Sequence, residues 1–258
     1  MEVTTYAPGT FSWVDYSAKD LEGAKAFYSA LFGWSLIEVP APCEPYVMAQ
    51  VSGKDVAAIT GLSEDESQQG VPPHWNSYVT VEDVNATATK IKDLGGQVLA
   101  EPFDVMEAGR MAVVADPIGA VFCIWQARQN IGAQLVDEPN TFCWNELYTD
   151  DLHTVERFYT SLFGWNSKHA TTSNNAKLVE LYNGERPTAT MMEIQPEWGP
   201  TSPAWGVYFA VADCEATVEH AKGLGAKVVL EPRDIPPGRV AVLQDPQGGV
   251  CSVIQLKG

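Results

Sequence analysis

The chain has 258 residues, 45% of them hydrophobic, with eight Trp and a formal net charge of −17. That length and apolar content suit two folded domains and exclude a disordered chain, and no apolar run approaches the roughly 20 residues that a membrane-spanning helix needs. So acidic a surface repels phosphate backbones and anionic lipid, so neither nucleic acid nor membrane is expected as a partner, and the opening MEVTTYAPGT lacks the basic start and apolar stretch of a signal peptide, which points to a cytoplasmic protein.

In chain order, Phe11–Tyr16 alternates and is rich in β formers, which predicts a strand. Ala24, Phe27, Tyr28, Leu31 and Phe32 then share one face of a helix that Gly33 stops. YVMAQVSGKDVAAITG reads as two strands around a Gly turn. HWNSYVTV is a further strand, and Asp83 is a candidate N-cap for a helix ending at Leu94-Gly95-Gly96. GQVLAEP, GRMAVVADP and AVFCIWQ complete the half as three strands parted by turns. Each half is therefore a βαβββ unit.

The chain then repeats itself. TFSWVDYSAKDLEGAKAFYSALFGW (10–34) returns as TFCWNELYTDDLHTVERFYTSLFGW (141–165), with Val155, Phe158, Tyr159, Leu162 and Phe163 on the helix face and Gly164 as its stop. VEDVNATATKIKDLGGQVLAEPFD (81–104) returns as VADCEATVEHAKGLGAKVVLEPRD (211–234), and AGRMAVVADPIGAVFCIWQ (108–126) as PGRVAVLQDPQGGVCSVIQ (237–255). Two domains follow, 1–130 and 139–258, with RQNIGAQLVDE (128–138) as linker, and the fold class is α+β with four βαβββ units.

FYxxLFGW in each first half and GRxAVxxDPxG in each second half resemble the vicinal oxygen chelate superfamily, the family of glyoxalase I, bleomycin and fosfomycin resistance proteins and extradiol dioxygenases. The tandem arrangement is similar to two-module actinobacterial glyoxalase-like proteins. The resemblance implies curved mixed sheets around cup-shaped cavities, and in the family's enzymes a divalent metal held by His, Gln or Glu from set strand positions. Carried over one at a time, those positions fall on Trp13, Asn76 and Cys123 in the first copy and on Trp144, Gly206 and Ser252 in the second. Indole only donates and cannot ligate, so no metal and no other cofactor is expected, a divalent ion being the alternative. Which units pair, first with second or first with fourth, stays open. So does the choice between a monomer with internally paired modules and a homodimer.

If Trp13 faces a cup, alternation turns Phe11 and Asp15 inward as well, and Phe142, Trp144 and Glu146 in the second copy. The second halves then contribute His74, Asn76 and Tyr78 with Val121, Cys123 and Trp125, and Ala204, Gly206 and Tyr208 with Val250, Ser252 and Ile254. The smaller residues suggest more room in the second cup. An inward Trp serves equally as core. Asp15 and Glu146 are costly to bury unpaired. Arg110 and Arg239 of the repeated GR are their expected partners, and an unpaired carboxyl there would suit a general base. His74 stands at a strand entrance. His153 and His220 fall on helices and His169 in a loop, without a metal-ligand spacing.

The five Cys (43, 123, 143, 214 and 251) form no CxxC, and Cys123, Cys143 and Cys251 read as buried free thiols. No Walker A loop or strand-turn-helix GxGxxG points to a nucleotide. The leading expectation is a metal-independent binding protein for a planar or aromatic metabolite, using Trp13, His74, Asn76, Tyr78, Cys123, Trp125, Trp144, Tyr208 and Ser252. The alternative is a glyoxalase-like lyase or isomerase, or a dioxygenase, acting on a small carbonyl or aromatic substrate, metal-dependent or with Asp15 or Glu146 as base. A third possibility is an interaction protein whose cups are filled by their own side chains.

Overall fold

The computed structural model describes residues 1–40, 45–171, 176–195 and 201–257; Cys43 lies outside them. The first module runs β1 (Phe11–Ala18), α1 (Leu21–Phe32), β2 (Ser35–Val39), β3 (Tyr46–Val51) and β4 (Lys54–Gly61), then α2 (Glu64–Gln69), then β5 (His74–Thr80), α3 (Val84–Asp93), β6 (Gln97–Val105), β7 (Gly109–Ala115) and β8 (Val121–Ala127). The second runs β9 (Phe142–Thr149), α4 (Leu152–Phe163), β10 (Asn166–Thr171), β11 (Lys177–Asn183), β12 (Arg186–Glu193), β13 (Ala204–Ala210), α5 (Cys214–Gly223), β14 (Lys227–Ile235), β15 (Gly238–Gln244) and β16 (Val250–Leu256).

Local chemistry explains the helix ends. Asp20, Asp83, Asp151 and Asp213 each cap a helix by accepting from a first-turn N–H, and Gly33 and Gly164 end α1 and α4 at φ 67° and 71°. The short α2 was not expected from periodicity. It rests on a capping box between Ser63 and Glu66. His169, expected in a loop, lies on β10 beside Glu156.

Each module is one curved eight-stranded mixed sheet, ordered β2-β3-β4-β1-β5-β8-β7-β6 and β10-β11-β12-β9-β13-β16-β15-β14. The middle of each sheet joins its two units through an antiparallel pair, β1 with β5 and β9 with β13. First therefore pairs with second, and third with fourth.

The repeated motifs clasp the two modules together. The Tyr28 hydroxyl, from the FY of α1, donates to Asp245 Oδ2 in the second module's DPxG turn at 2.8 Å. Tyr159 of α4 donates to Asp116 Oδ2 in the first module's turn at 3.1 Å. Each Asp spends its other oxygen on its own turn, Asp116 accepting from Ile118, Gly119 and Ala120 and Asp245 from Gln247 and Gly249. Burial pushes the Asp116 carboxyl up, against those turn N–H groups and Tyr159, which favour its ionised form.

Indoles complete the clasp. Trp75 donates to Tyr28 and Trp205 to Tyr159. Trp34 and Trp165, turned aside where the helices stop, reach Asn140 O and Gly9 O, both at 2.8 Å. Gly249 is fixed by the same contact, since a Cβ there would sit 2.4 Å from the Tyr16 ring of β1. Tyr28→Phe and Tyr159→Phe each remove a buried hydrogen bond to a carboxylate, so each should lower the unfolding free energy by about 1.5–3 kcal/mol in urea titrations, with both modules still unfolding in one transition. Two separate transitions in the native protein would contradict the clasp.

Candidate ligand-binding cups

The strand register defines the concave face. Trp13 lies opposite Tyr78 and Asp15 opposite Asn76, while Tyr78 lies beside Cys123 on β8 and Asp15 beside Ala58 on β4. Trp13, Asp15, Asn76, Tyr78 and Cys123 therefore share one wall, joined by Tyr46 from β3 and by Trp125. Phe11 does not join them. A bulge between Phe11 and Trp13 pairs Phe11 with Val79, and its ring packs against Trp205 at 4.9 Å and Trp165 at 6.0 Å in the other module. The same shift on β9 places Phe142 opposite Phe209 and leaves Trp144 opposite Tyr208.

In the first cup Asp15 is 2% exposed. Its Oδ2 accepts from Tyr46 at 2.8 Å and Tyr78 at 2.7 Å, and its Oδ1 from Asn76 at 3.0 Å. Trp13 donates to the Tyr46 oxygen at 2.8 Å, and Asn76 also reaches Ser17 at 3.1 Å. Burial raises the Asp15 pKa, while the Tyr78, Asn76 and Tyr46 hydrogen bonds oppose the rise. Burial likewise lifts Tyr46, Tyr78 and Cys123 well above their ordinary values, with the Asp15 charge adding to each. Cys123 is thus an inert thiol.

The arginines are not the partners of these carboxylates. Arg110 neighbours Met111, which pairs with the cup-facing Trp125, so alternation sends Arg110 to the convex side. There it binds Asp104, Asn85 and the Pro102 carbonyl. Arg239 binds Asp234 at 3.1 Å and Glu215 in the same way.

The second cup solves the same problem with other residues. Glu146, 6% exposed, accepts from Tyr208 at 2.5 Å and from Thr190 at 2.9 Å. Thr190 accepts from the Trp144 indole at 3.2 Å, and the Tyr148 and Tyr208 hydroxyls stand 3.2 Å apart. Burial pushes both phenols well above 10, with Glu146 contributing. Gly206 does not enlarge this cup: a Cβ there would meet the Tyr148 ring at 2.8 Å, so Tyr148 fills the space that the missing side chain leaves. Ser252 is buried next to Tyr208 on β16.

The cups differ in access. Trp13 is 5% exposed, and residues 130–134 close the base of its cup: Ala133 donates to Ser12 O and Gln134 to Asp55 O, both at 2.7 Å, while Trp125 donates to Asn130 O at 2.9 Å. Outside that closure lies a cavity of ≈610 Å³ between Val39, Lys54, Met106 and Ile131. Trp144 is half-buried and opens onto a cavity of ≈270 Å³ lined also by Phe11, Phe142, Cys143, Arg186 and Thr188. His74 stands at the entrance of β5, half-buried, with Nδ1 2.8 Å from Pro72 O. Tyr46, Tyr148, Thr188 and Thr190 were missed in the sequence. Tyr148 follows Glu146 by two on β9, where alternation alone would have placed it; Tyr46 needs the pairing of β3 with β4 and of β4 with β1, and Thr188 and Thr190 that of β12 with β9, which alternation within one strand does not show.

A divalent metal does not fit this donor set. Among the described residues no three His, Cys, Asp or Glu converge. The two carboxylates are occupied by hydroxyl and amide donors, and both indoles point an N–H where a ligand would need a lone pair.

Comparison with known proteins agrees with this architecture. Residues 10–124 match the family described as the glyoxalase/bleomycin resistance protein/dioxygenase superfamily, and residues 142–254 match the glyoxalase-like domain. The chain is 40% identical over 253 residues to a Mycobacterium bovis protein named "Putative glyoxylase CFP32", covering 97% of this chain and 96% of that one. It is 35% identical over 267 residues to the anthracycline biosynthesis protein DnrV of Streptomyces peucetius, covering 99% and 96%. The fold is also that of the Mn(II)-bound glyoxalase from Novosphingobium aromaticivorans, with a TM-score of 0.67 at 15% identity over 97% of this chain and 83% of that one. With two modules in tandem, each carrying the doubled motifs and the open curved sheet, the chain belongs to the glyoxalase/bleomycin resistance/dioxygenase superfamily.

Proposed function

We propose that the protein binds a small planar aromatic metabolite without a metal, as a cytoplasmic monomer whose modules are clasped internally, and that the second cup is the binding cup. The observation that carries this reading is the contrast between the two indoles. Both are pinned by their N–H, but Trp13 is buried in a cup whose base residues 130–134 close, while Trp144 is half-buried and lines a cavity. A fixed ring loses little freedom on stacking, worth about 0.5–1.5 kcal/mol beyond burial. The relative named for anthracycline biosynthesis supports a ligand of fused aromatic rings. The free thiols Cys123, Cys143, Cys214 and Cys251 support a reducing compartment, and no helix among the described residues is long and apolar enough to cross a membrane.

Catalysis by Asp15 or Glu146 as base would require a substrate to displace the hydroxyls that hold them. Their position supports a structural role, in which each carboxylate orients the wall of its cup.

Tryptophan quenching by a hydroxyanthraquinone, on protein treated with chelator, tests the reading. The native protein should bind, Trp144→Phe should bind several-fold more weakly, and Trp13→Phe should bind as the native protein does. Binding or turnover that appears only after nickel, zinc, manganese or iron is added would contradict it. The role of Asp15 has its own signature. A carboxyl whose pKa is higher in the fold than in the open chain favours folding while protonated, and loses that contribution as pH rises through its folded value. Asp15→Asn cannot ionise, so its Tm relative to the native protein should increase as pH rises from about 4 to about 7. A difference that is constant or declines over that range would contradict the assignment.

A further inference from the structure

The cavity beside Trp144 has a polar floor that the aromatic reading leaves unused. Thr188 lies two residues before Thr190 on β12, at a bulge that sets Ala189 opposite Leu181 and Pro187 opposite Tyr182 and leaves Thr188 as the extra residue. Thr190 is committed to Glu146 and Trp144. Thr188 is only 8% exposed, and its hydroxyl oxygen is buried without a hydrogen-bond partner while it lines the cavity. Native proteins rarely leave a buried hydroxyl unmet, and this one belongs to a residue on the wall of a cavity. Arg186 begins the same strand, lines the same cavity and is exposed at its mouth. Among the described residues no carboxylate comes within ion-pair distance of it. Asp137, across the mouth, feels its charge: burial raises the Asp137 carboxyl, and Arg186 is the first influence lowering it again.

The first cup offers no counterpart. The residue in register with Thr188 is Val56, fully buried, and Lys54 stands in register with Arg186, where it lies 3.5 Å from Glu2. The polar pair is thus particular to the cup whose indole is accessible.

We propose that this cavity is a subsite for an aromatic carboxylate: the ring lies against Trp144 between Phe11 and Phe142, and the carboxylate accepts from the Thr188 hydroxyl and the Arg186 guanidinium. This rests on the reading of the second cup as the binding cup and adds the charge of its ligand. Arg186 offers paired N–H donors matched to the two oxygens of a carboxylate, and the volume of ≈270 Å³ sits near the lower end of ligand pockets, so it suits a compact ring system with one acidic group.

The test compares two probes of one shape, anthraquinone-2-carboxylate and its neutral carboxamide, by titration calorimetry on the full chain. The native protein should prefer the carboxylate by about tenfold, the effect of one charge-assisted pair. Arg186→Gln should abolish that preference. Thr188→Val, which is close in shape, should weaken the carboxylate several-fold. Asp137→Asn, which removes an opposing charge, should tighten it. Equal binding of the two probes, or a preference that survives Arg186→Gln, overturns the subsite while leaving the aromatic reading intact. If neither probe binds the native protein, the aromatic reading falls and the subsite with it.

Discussion

Two buried tyrosine hydroxyls, each reaching from a helix of one module into a turn of the other, fix the geometry on which the cups depend. Tyr28 and Asp245, and Tyr159 and Asp116, are related by the internal duplication, so the interface is isologous within a single chain. In each pair the carboxylate closes its own turn with one oxygen and receives the foreign phenol with the other. Neither module satisfies its DPxG aspartate alone. This joint also brings the N-terminal segment and the linker across the modules, where Val3 meets Gln134, Tyr6 meets Ala133, and Tyr6 and Val136 line the cavity of the second cup.

The cups show how one constraint is met twice by different residues. A carboxylate on the central strand must be paired once it is buried. In the first cup a phenol from β3, a phenol from β5 and an amide do this. In the second a threonine from β12 and a phenol from β13 do. Each indole donates to the hydroxyl that serves the acid, so Trp and acid form a single unit, which accounts for their recurrence two residues apart in both copies. Where metal enzymes converge ligands, this chain converges hydrogen-bond donors on an acid of its own.

The fold was legible because duplication, helix periodicity and Gly stops all agree. The inward placement of Trp13, Asp15, Asn76 and Tyr78 followed from alternation. What failed did so for local reasons. A bulge turned Phe11 into the module interface, and Arg110 sat one residue out of phase with the cup face. Gly206 suggested space that Tyr148 occupies. The cross-module role of FY and DPxG was invisible because hydrogen bonds between elements 217 and 43 residues apart leave no mark on periodicity. Tyr46, Thr188 and Thr190 needed the pairing of β3 with β4, of β4 with β1 and of β12 with β9, which no single strand encodes.

The central claim is that two similar cups have diverged into a sealed one and an open one that binds without metal. Calorimetric stoichiometry of a hydroxyanthraquinone on chelator-treated full chain tests it most directly. The account requires saturation at one ligand per chain. Two ligands per chain, or binding that waits for an added divalent ion, would contradict it.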